Sequence, residues 1–192
     1  MAKIELLIPH ILLWENGISK KSDETTQAAY ERARAKGVIT VKGDSGGPTL
    51  CGVTLATFQD WRRKRGMRRP TQADLAGLEY QEWLEILKYQ FWDPCKGDQI
   101  NNQSVANMLI DWRWVNGNQA IRDAQTVFSL VADGITGPKT LAALNAQPAE
   151  TIFMRLKYAR EAAYRKIIER NPAKIRFYTG WINRTNAIKY EP

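Results

Sequence analysis

The sequence predicts a mainly α-helical protein of the α+β class with one small β-hairpin. Apolar residues recur at spacings of three and four along most of the chain, which is the period of a helix with one buried face. A dense run of turn-forming residues at positions 42–48 breaks that pattern and lies between two short runs of strand-forming residues. We therefore expect a hairpin within residues 38–53 and helices through most of the rest of the chain.

Composition narrows the class of protein. The 192 residues carry a net charge of +8 and include one His and two Cys. A single His and the absence of a metal-type cysteine spacing argue against a zinc site or a catalytic triad, so we predict no metal and no cofactor. Because nothing else marks an oxidising compartment, we expect Cys51 and Cys95 to be free thiols.

The chain has no apolar run of the roughly 18 residues that span a bilayer, so we predict no membrane insertion. Its first 14 residues carry only Lys3 as a positive charge and lack a small-residue cleavage site. We interpret them as a helix of the mature fold, made in the cytoplasm without a recognisable signal peptide.

The chain divides most naturally near Cys95, after a helix that Pro94 ends. We predict one lobe at residues 1–96 and a helical lobe at residues 97–192, packed together as one unit, and we favour a monomer. Residues 20–42 look like an insertion in the first lobe. Within it, the charged segment Ser22-Asp23-Glu24-Thr25 begins a surface-type helix that ends near Gly37.

Glu15 is the first candidate functional residue. Ile4, Leu7, Ile8 and Ile11 repeat at one-face helical spacing, and the next position in that series is Glu15, close to the helix terminator Gly17. A carboxyl group at a partly buried helix end favours its protonated form, which general acid catalysis needs. The alternative is a solvated glutamate at a frayed helix end.

Asp44 lies inside the glycine-rich turn, with Thr49 close behind it. Glycosidases use paired carboxyl groups, and Glu15 with Asp44 would form such a pair, with Thr49 positioning water or a carboxylate. A tight hairpin whose aspartate bonds its own backbone is the alternative.

Two further surfaces suggest binding. Asn107, Asp111 and Trp114 share one stripe of a predicted helix, and polar groups beside an indole ring often line sugar clefts, although a solvated face fits the same spacing. The second surface is a basic cluster, which would attract a polyanion or form a solvated helix end: Arg62, Arg63, Lys64, Arg65, Arg68 and Arg69.

Two segments carry a family resemblance. Trp14-Glu15-Asn16-Gly17 and the run from Asp44 to Thr54 resemble the Glu-Gly-Gly-Tyr … Asp-x-Gly-Gly-Ala-Thr-x-x-Gly-Ile-Thr signature of glycoside hydrolase family 108. Later segments, including Asp133-Gly134-Ile135-Thr136-Gly137-Pro138-Lys139-Thr140, resemble the predicted peptidoglycan-binding domain that accompanies it. Family members are lysozyme-like N-acetylmuramidases, often phage or prophage endolysins, and are also labelled secretion activator proteins.

The resemblance implies a lysozyme-like fold and a muramidase that cleaves the β-1,4 bond between N-acetylmuramic acid and N-acetylglucosamine. Glu15 would be the general acid and Asp44 and Thr49 its catalytic partners. From their positions in the sequence, and not from the resemblance, we also expect Asn16, Asn107, Asp111 and Trp114 to contact substrate. The implied partner is the peptidoglycan glycan strand at the bacterial cell wall, with no nucleic acid. The departure at Asn16, where the family has glycine, keeps a second reading open, a non-catalytic peptidoglycan-binding or secretion-associated protein.

Overall fold

The computed structural model describes residues 1–40 and 47–192. These residues form ten α-helices and one two-stranded antiparallel sheet, so the predicted mainly α fold with a small hairpin is confirmed. They divide into two compact units, an N-terminal unit of Glu5–Gln90 and a C-terminal unit of Met1–Ile4 with Phe91–Pro192. Single turns of 3-10 or π-helix occupy Ile4–Leu6, Lys88–Trp92, Asp93–Cys95, Gly97–Gln99 and Pro172–Phe177.

The N-terminal unit contains five helices and the sheet. Its helices begin at the residues that sequence favours: the hydroxyl of Thr54 accepts a hydrogen bond from the Thr57 amide, and Thr71 with Asp74 forms a complete capping box. Their buried faces carry Ile11, Phe58 and Trp83 into one core. The elements are α1 (Ile8–Asn16), α2 (Thr26–Arg34), β1 (Thr49–Leu50), β2 (Val53–Thr54), α3 (Leu55–Lys64), α4 (Gln72–Ala76) and α5 (Tyr80–Leu87).

Helix α2, within the apparent insertion, belongs to the core of this unit. We expected a surface-type helix, but Ala29, Tyr30 and Ala33 are fully buried where α2 packs against α1 and α5. The Tyr30 hydroxyl donates a 2.7 Å hydrogen bond to the Leu78 carbonyl oxygen. The small alanines that suggested a solvated helix allow close helix packing instead, so the surface assignment was wrong.

The hairpin is shorter than the sequence suggests. Thr49 pairs with Thr54 and Leu50 with Val53, and an isolated bridge joins Ile39 to Thr49. Cys51 and Gly52, the two turn residues, both have positive φ, 47° and 79°, as the tightest hairpin turns require. Of the strand predicted at residues 38–41, the structure describes residues 38–40, and these form a single bridge at Ile39. Residues 41–46 lie outside the described residues.

The C-terminal unit is helical. Its long helix α9 contacts α6, α7, α8 and α10 and so forms the centre of the unit. The first residues of the chain belong to this unit: the Ala2 amide donates a hydrogen bond to the Ile100 carbonyl oxygen, and the Lys3 amide donates one to the Gln103 side chain. The helices are α6 (Gln103–Asn116), α7 (Asn118–Val127), α8 (Pro138–Leu144), α9 (Ala149–Arg170) and α10 (Tyr178–Ala187).

Cys51 and Cys95 are free thiols, as expected, and both are buried. Among the described residues, no helix is both long enough and apolar enough to cross a membrane. The division of the chain in the structure falls between Gln90 and Phe91, six residues before the position expected from sequence.

Candidate functional site

Glu15 lies in the last turn of α1. The helix ends at Gly17, whose left-handed conformation (φ 64°, ψ 28°) directs its amide to the carbonyl oxygens of Leu12 and Leu13. Glycine adopts this conformation without the steric cost that a Cβ atom brings, so Gly17 is the terminator that the sequence predicts. The turn leaves the Glu15 side chain half-buried, two residues before the chain reverses.

The charge of the Glu15 carboxylate reaches the hairpin turn. Burial, followed by the negative charges of Glu15 and Glu31 and offset in part by Arg34, raises the pKa of the Cys51 thiol to about 12. Charge interactions fade beyond a screening length of about 8–10 Å at physiological salt. The end of α1, the hairpin turn and helix α2 therefore lie in the same neighbourhood.

Thr49 is partly buried on β1, two residues before this turn. Its hydroxyl donates a 3.1 Å hydrogen bond to the Gly47 carbonyl oxygen. The donated proton leaves the oxygen lone pairs available as acceptors, so the hydroxyl can orient a water molecule. Asp44, the second predicted carboxylate, lies outside the described residues.

Helix α2 closes onto the end of α1. The Lys36 ammonium donates a 2.5 Å hydrogen bond to the Asn16 carbonyl oxygen, and the Arg32 guanidinium donates to the Ser19 carbonyl. A cation at a helix C-terminus offsets the partial negative charge of its carbonyl groups. The insertion thus supports the turn that holds Glu15, a role that the spacing of its residues did not reveal.

Asn16 is an interior residue. Its side chain is 7% exposed, and its Oδ1 atom is buried without a hydrogen-bond partner among the residues described. The amide oxygen of Asn16 does not reach solvent and so is not placed to contact a substrate.

Two buried aromatic residues support the hairpin turn. The Trp83 indole donates a 2.9 Å hydrogen bond to the Cys51 carbonyl oxygen, and the Tyr30 ring lies 5.1 Å from that indole. Trp83 and Tyr30 are both fully buried. Sequence periodicity places Trp83 in the core but gives no signal of its bond to a turn 32 residues earlier.

In the C-terminal unit, Asp111 is part of a buried ion triad. Its carboxylate accepts a 2.8 Å hydrogen bond from Arg160 on α9 and 2.7 Å and 3.1 Å bonds from Arg184 on α10. The Asp111 and Arg160 side chains are fully buried. Asp111 therefore joins three helices, and the predicted contact between its carboxylate and substrate is not part of this geometry.

The two neighbours of Asp111 on the stripe remain accessible. Asn107 is half-buried and its Oδ1 atom accepts a 2.8 Å bond from Gln103. Trp114 is half-buried as well, with its ring centroid 4.6 Å from that of Phe91. An indole fixed at this distance is a rigid surface on which a sugar ring could stack.

A pocket of about 490 Å³ lies against the loop between α7 and α8. Gln125, only 1% exposed, holds that loop through its amide, which donates to Asp133, Ile135 and Thr140 and accepts from the Gly134 amide. The loop presents two of the most exposed large apolar side chains among the residues described, Val131 at 81% and Ile135 at 66%. The segment that sequence marks as turns is therefore a rigid pocket rim with Lys139 beside it.

The basic cluster at residues 62–69 is largely neutralised by nearby carboxylates. Arg62 forms two bonds to Glu82, Arg63 and Lys64 share Asp60, Arg65 lies 3.6 Å from Glu85, and Arg68 pairs with Asp74. Paired surface charges attract a distant polyanion weakly. Of the two interpretations of this cluster, the solvated and paired helix end fits the structure better.

Residues with metal-ligating side chains do not gather in groups of three or more anywhere in the described part of the chain. The described candidate residues are thus Glu15 and Thr49 in one unit and, in the other, Asn107, Trp114 and the pocket around Gln125.

Comparison with known proteins gives a family match for each half of the chain. The family described as Glycosyl hydrolase 108 matches residues 8–117, and the family described as Predicted Peptidoglycan domain matches residues 110–186. The solved structure of SagA from Brucella abortus is 26% identical, with a TM-score of 0.69, over 83% of this chain and 88% of that one. No curated protein matches the chain.

These similarities agree with the helical fold and the hairpin, and they make the chain a lysozyme-like protein that acts on peptidoglycan at the cell wall. The first family match covers more than half of the 192 residues and includes Glu15, Thr49 and the hairpin. This protein therefore belongs to the glycosyl hydrolase 108 family.

Proposed function

We propose that the protein is an N-acetylmuramidase that hydrolyses the β-1,4 bond between N-acetylmuramic acid and N-acetylglucosamine, with Glu15 as the general acid. The observation that carries this proposal is the placement of Glu15: a half-buried carboxyl group in the last turn of α1, whose charge reaches the hairpin turn, within the region that matches the family. Family membership supports a glycosidase. Of the two carboxylates whose charges act on Cys51, Glu31 is exposed and pairs with Arg34, whereas Glu15 is half-buried.

In the proposed reaction, the Glu15 carboxyl donates its proton to the glycosidic oxygen as the bond from that oxygen to the anomeric carbon breaks. A water molecule forms a bond from its oxygen to the anomeric carbon, and one of its protons is released and restores the acid form of Glu15. Thr49, whose hydroxyl already donates to Gly47, would accept a hydrogen bond from this water and orient it. Asp44 is proposed as the second carboxylate, which orients the water or stabilises the positive charge that develops on the sugar.

The C-terminal unit would hold the polymer. Asn107 and Trp114 are proposed to contact sugar rings, by a hydrogen bond and by stacking. The pocket around Gln125 suits the stem peptide better than the glycan, because its apolar lining has aliphatic and no aromatic side chains, which match alanine methyl groups, while Lys139 can meet a peptide carboxylate. Changing Ile135 to Asp should reduce co-sedimentation with intact peptidoglycan, whereas the same change at exposed Tyr158 should not.

The direct test replaces Glu15 with Gln, which keeps the shape of the side chain and removes the acidic proton. We expect loss of turbidity clearing on purified peptidoglycan, with unchanged co-sedimentation. Glu5→Gln is the matched control, since Glu5 is exposed in the same unit, and it should clear the suspension at the wild-type rate. Clearing by the Glu15→Gln protein at the wild-type rate would exclude the assignment.

A non-catalytic peptidoglycan-binding protein is the second candidate. The departure that favours it is Asn16, a buried residue that stands where the family signature has glycine. In that case the wild-type protein would sediment with peptidoglycan without releasing new reducing ends, and Glu15→Gln would change neither property.

A further inference from the structure

The end of α9 and the turn that follows it carry the densest unpaired charge of the described residues. Residues 165–177 contain five basic side chains and one acidic one, a net charge of +4, which is half of the +8 of the whole chain. All five are exposed, and none pairs with a carboxylate among the residues that the structure describes: Arg165, Lys166, Arg170, Lys174 and Arg176. This basic end of α9 differs from the cluster at residues 62–69, in which five of the six cations pair with carboxylates.

Two large apolar side chains stand among these cations. Ile175 is 58% exposed and Phe177 is 42% exposed, and both lie in the 3-10 turn Pro172–Phe177, next to Lys174 and Arg176. Exposed apolar groups cost free energy in water, and the binding of a polyanion by cations alone would not bury them. A surface that combines both attracts a partner that is negatively charged outside and apolar just beneath.

We propose that this basic end of α9 docks on the surface of an anionic phospholipid bilayer. Lipid phosphates would meet the five cations, while Ile175 and Phe177 would enter the boundary between headgroups and acyl chains. Because each of these two signals alone gives weak binding, their coincidence within 13 residues is what supports a bilayer. Docking would hold the protein at the membrane face of the wall on which it acts, without a membrane-spanning segment.

A nucleic acid fits this surface less well. Single-stranded nucleic acids need an open aromatic face for stacking. The Phe177 ring already lies 6.1 Å from the Trp181 ring, and the Arg176 guanidinium lies over it at 4.7 Å. Ile175 cannot stack on a base. Membrane docking uses both side chains as they stand.

The test is co-sedimentation of the full chain with vesicles of phosphatidylglycerol and phosphatidylethanolamine, compared with vesicles of phosphatidylcholine. We expect binding to the anionic vesicles that falls as salt rises, and little binding to the neutral ones. Lys174→Gln with Arg176→Gln should weaken it roughly 25-fold, since each cation near an anionic surface contributes about fivefold. Ile175→Ser with Phe177→Ser should weaken it by about tenfold or more.

The matched control is Arg63→Gln with Met67→Ser, which removes one cation and one exposed apolar side chain from the other basic cluster and should leave vesicle binding unchanged. Equal binding to neutral vesicles, or wild-type binding by both variants in residues 174–177, would overturn the proposal. The proposal would also be overturned if the wild-type protein bound DNA in a gel shift but not the vesicles, and if these variants lost the DNA binding. Clearing of purified peptidoglycan is a separate readout, which none of these substitutions should change.

Discussion

The Nε1 atom of Trp83 lies 2.9 Å from the carbonyl oxygen of Cys51 and donates a buried hydrogen bond to it. Cys51 occupies the left-handed region (φ 47°), a conformation that costs free energy for any residue with a side chain. The bond from Trp83 helps to hold that turn, whose Cys51 thiol is within range of the Glu15 charge. A helix in the core thereby supports a turn in the neighbourhood of the proposed acid.

Trp83→Phe should lower the free energy of unfolding by about 1–3 kcal/mol, because it leaves the Cys51 carbonyl buried without its donor. It should also slow the clearing of peptidoglycan, since the turn beside Glu15 loses its support. Trp61→Phe is the matched control: Trp61 is 5% exposed, and its Nε1 atom has no hydrogen-bond partner among the described residues. Urea denaturation compares the two, and an equal loss in both would remove the role assigned to the Trp83 bond.

Gly17→Ala should destabilise the protein by about 1 kcal/mol, because alanine must adopt the left-handed conformation that ends α1. Gly180→Ala should have the opposite sign and stabilise by about 0.5–1 kcal/mol, since Gly180 lies inside α10 with no atom within 4 Å of the added Cβ. Thermal melts of both proteins measure the difference. A stabilising Gly17→Ala would contradict the termination of α1 described above.

Cys51 and Cys95 should resist alkylation in the native protein. Burial raises the pKa of each thiol to about 12, so at pH 8 about one thiol in ten thousand is the reactive thiolate. Iodoacetamide at pH 8 should leave both unmodified by mass spectrometry until urea unfolds the chain. Rapid labelling of either residue in the folded protein would show that its thiol is not buried.

The same thiols make stability depend on pH in the alkaline range. The unfolded thiols ionise near pH 9 and the folded ones only near 12, so the unfolded state loses protons first. Their contribution is fully present below about pH 9 and is lost as the pH rises toward 12.

Asp111→Asn should lower the free energy of unfolding by about 3–5 kcal/mol, because it leaves Arg160 buried without its counter-charge. Glu169→Gln is the control, since Glu169 is an exposed carboxylate on α9, and its removal should change stability by less than about 0.5 kcal/mol. Equal melting temperatures for the two variants would contradict the structural role of Asp111 and would favour a contact between its carboxylate and substrate.

Local sequence signals reveal the features that local physics determines. Gly17 ends α1, as predicted, and the same kind of signal lies at the start of the helices that follow Thr54 and Thr71 and of α8 at Pro138, because caps and terminators depend on residues within one turn. The family resemblance, carried by residues 14–17 and the run from Asp44 to Thr54, extended the prediction to the fold and to peptidoglycan.

Long-range partners could not be predicted in this way. The spacing of Asn107, Asp111 and Trp114 suggested a cleft, but Arg160 and Arg184, which neutralise Asp111, lie 49 and 73 residues further along the chain. The ion pairs of the cluster at residues 62–69 could not be predicted for the same reason, since Glu82 and Glu85 come from another helix. Helix α2 seemed solvated because alanine is compatible with both a surface and a close helix contact.

The most direct test of the account is mass spectrometry of the fragments that the protein releases from purified peptidoglycan. We predict muropeptides with N-acetylmuramic acid at the reducing end from the wild-type protein and from Glu5→Gln, and none from Glu15→Gln, which should still sediment with the polymer. Fragments with N-acetylglucosamine at the reducing end, or the predicted fragments from Glu15→Gln at the wild-type rate, would contradict it.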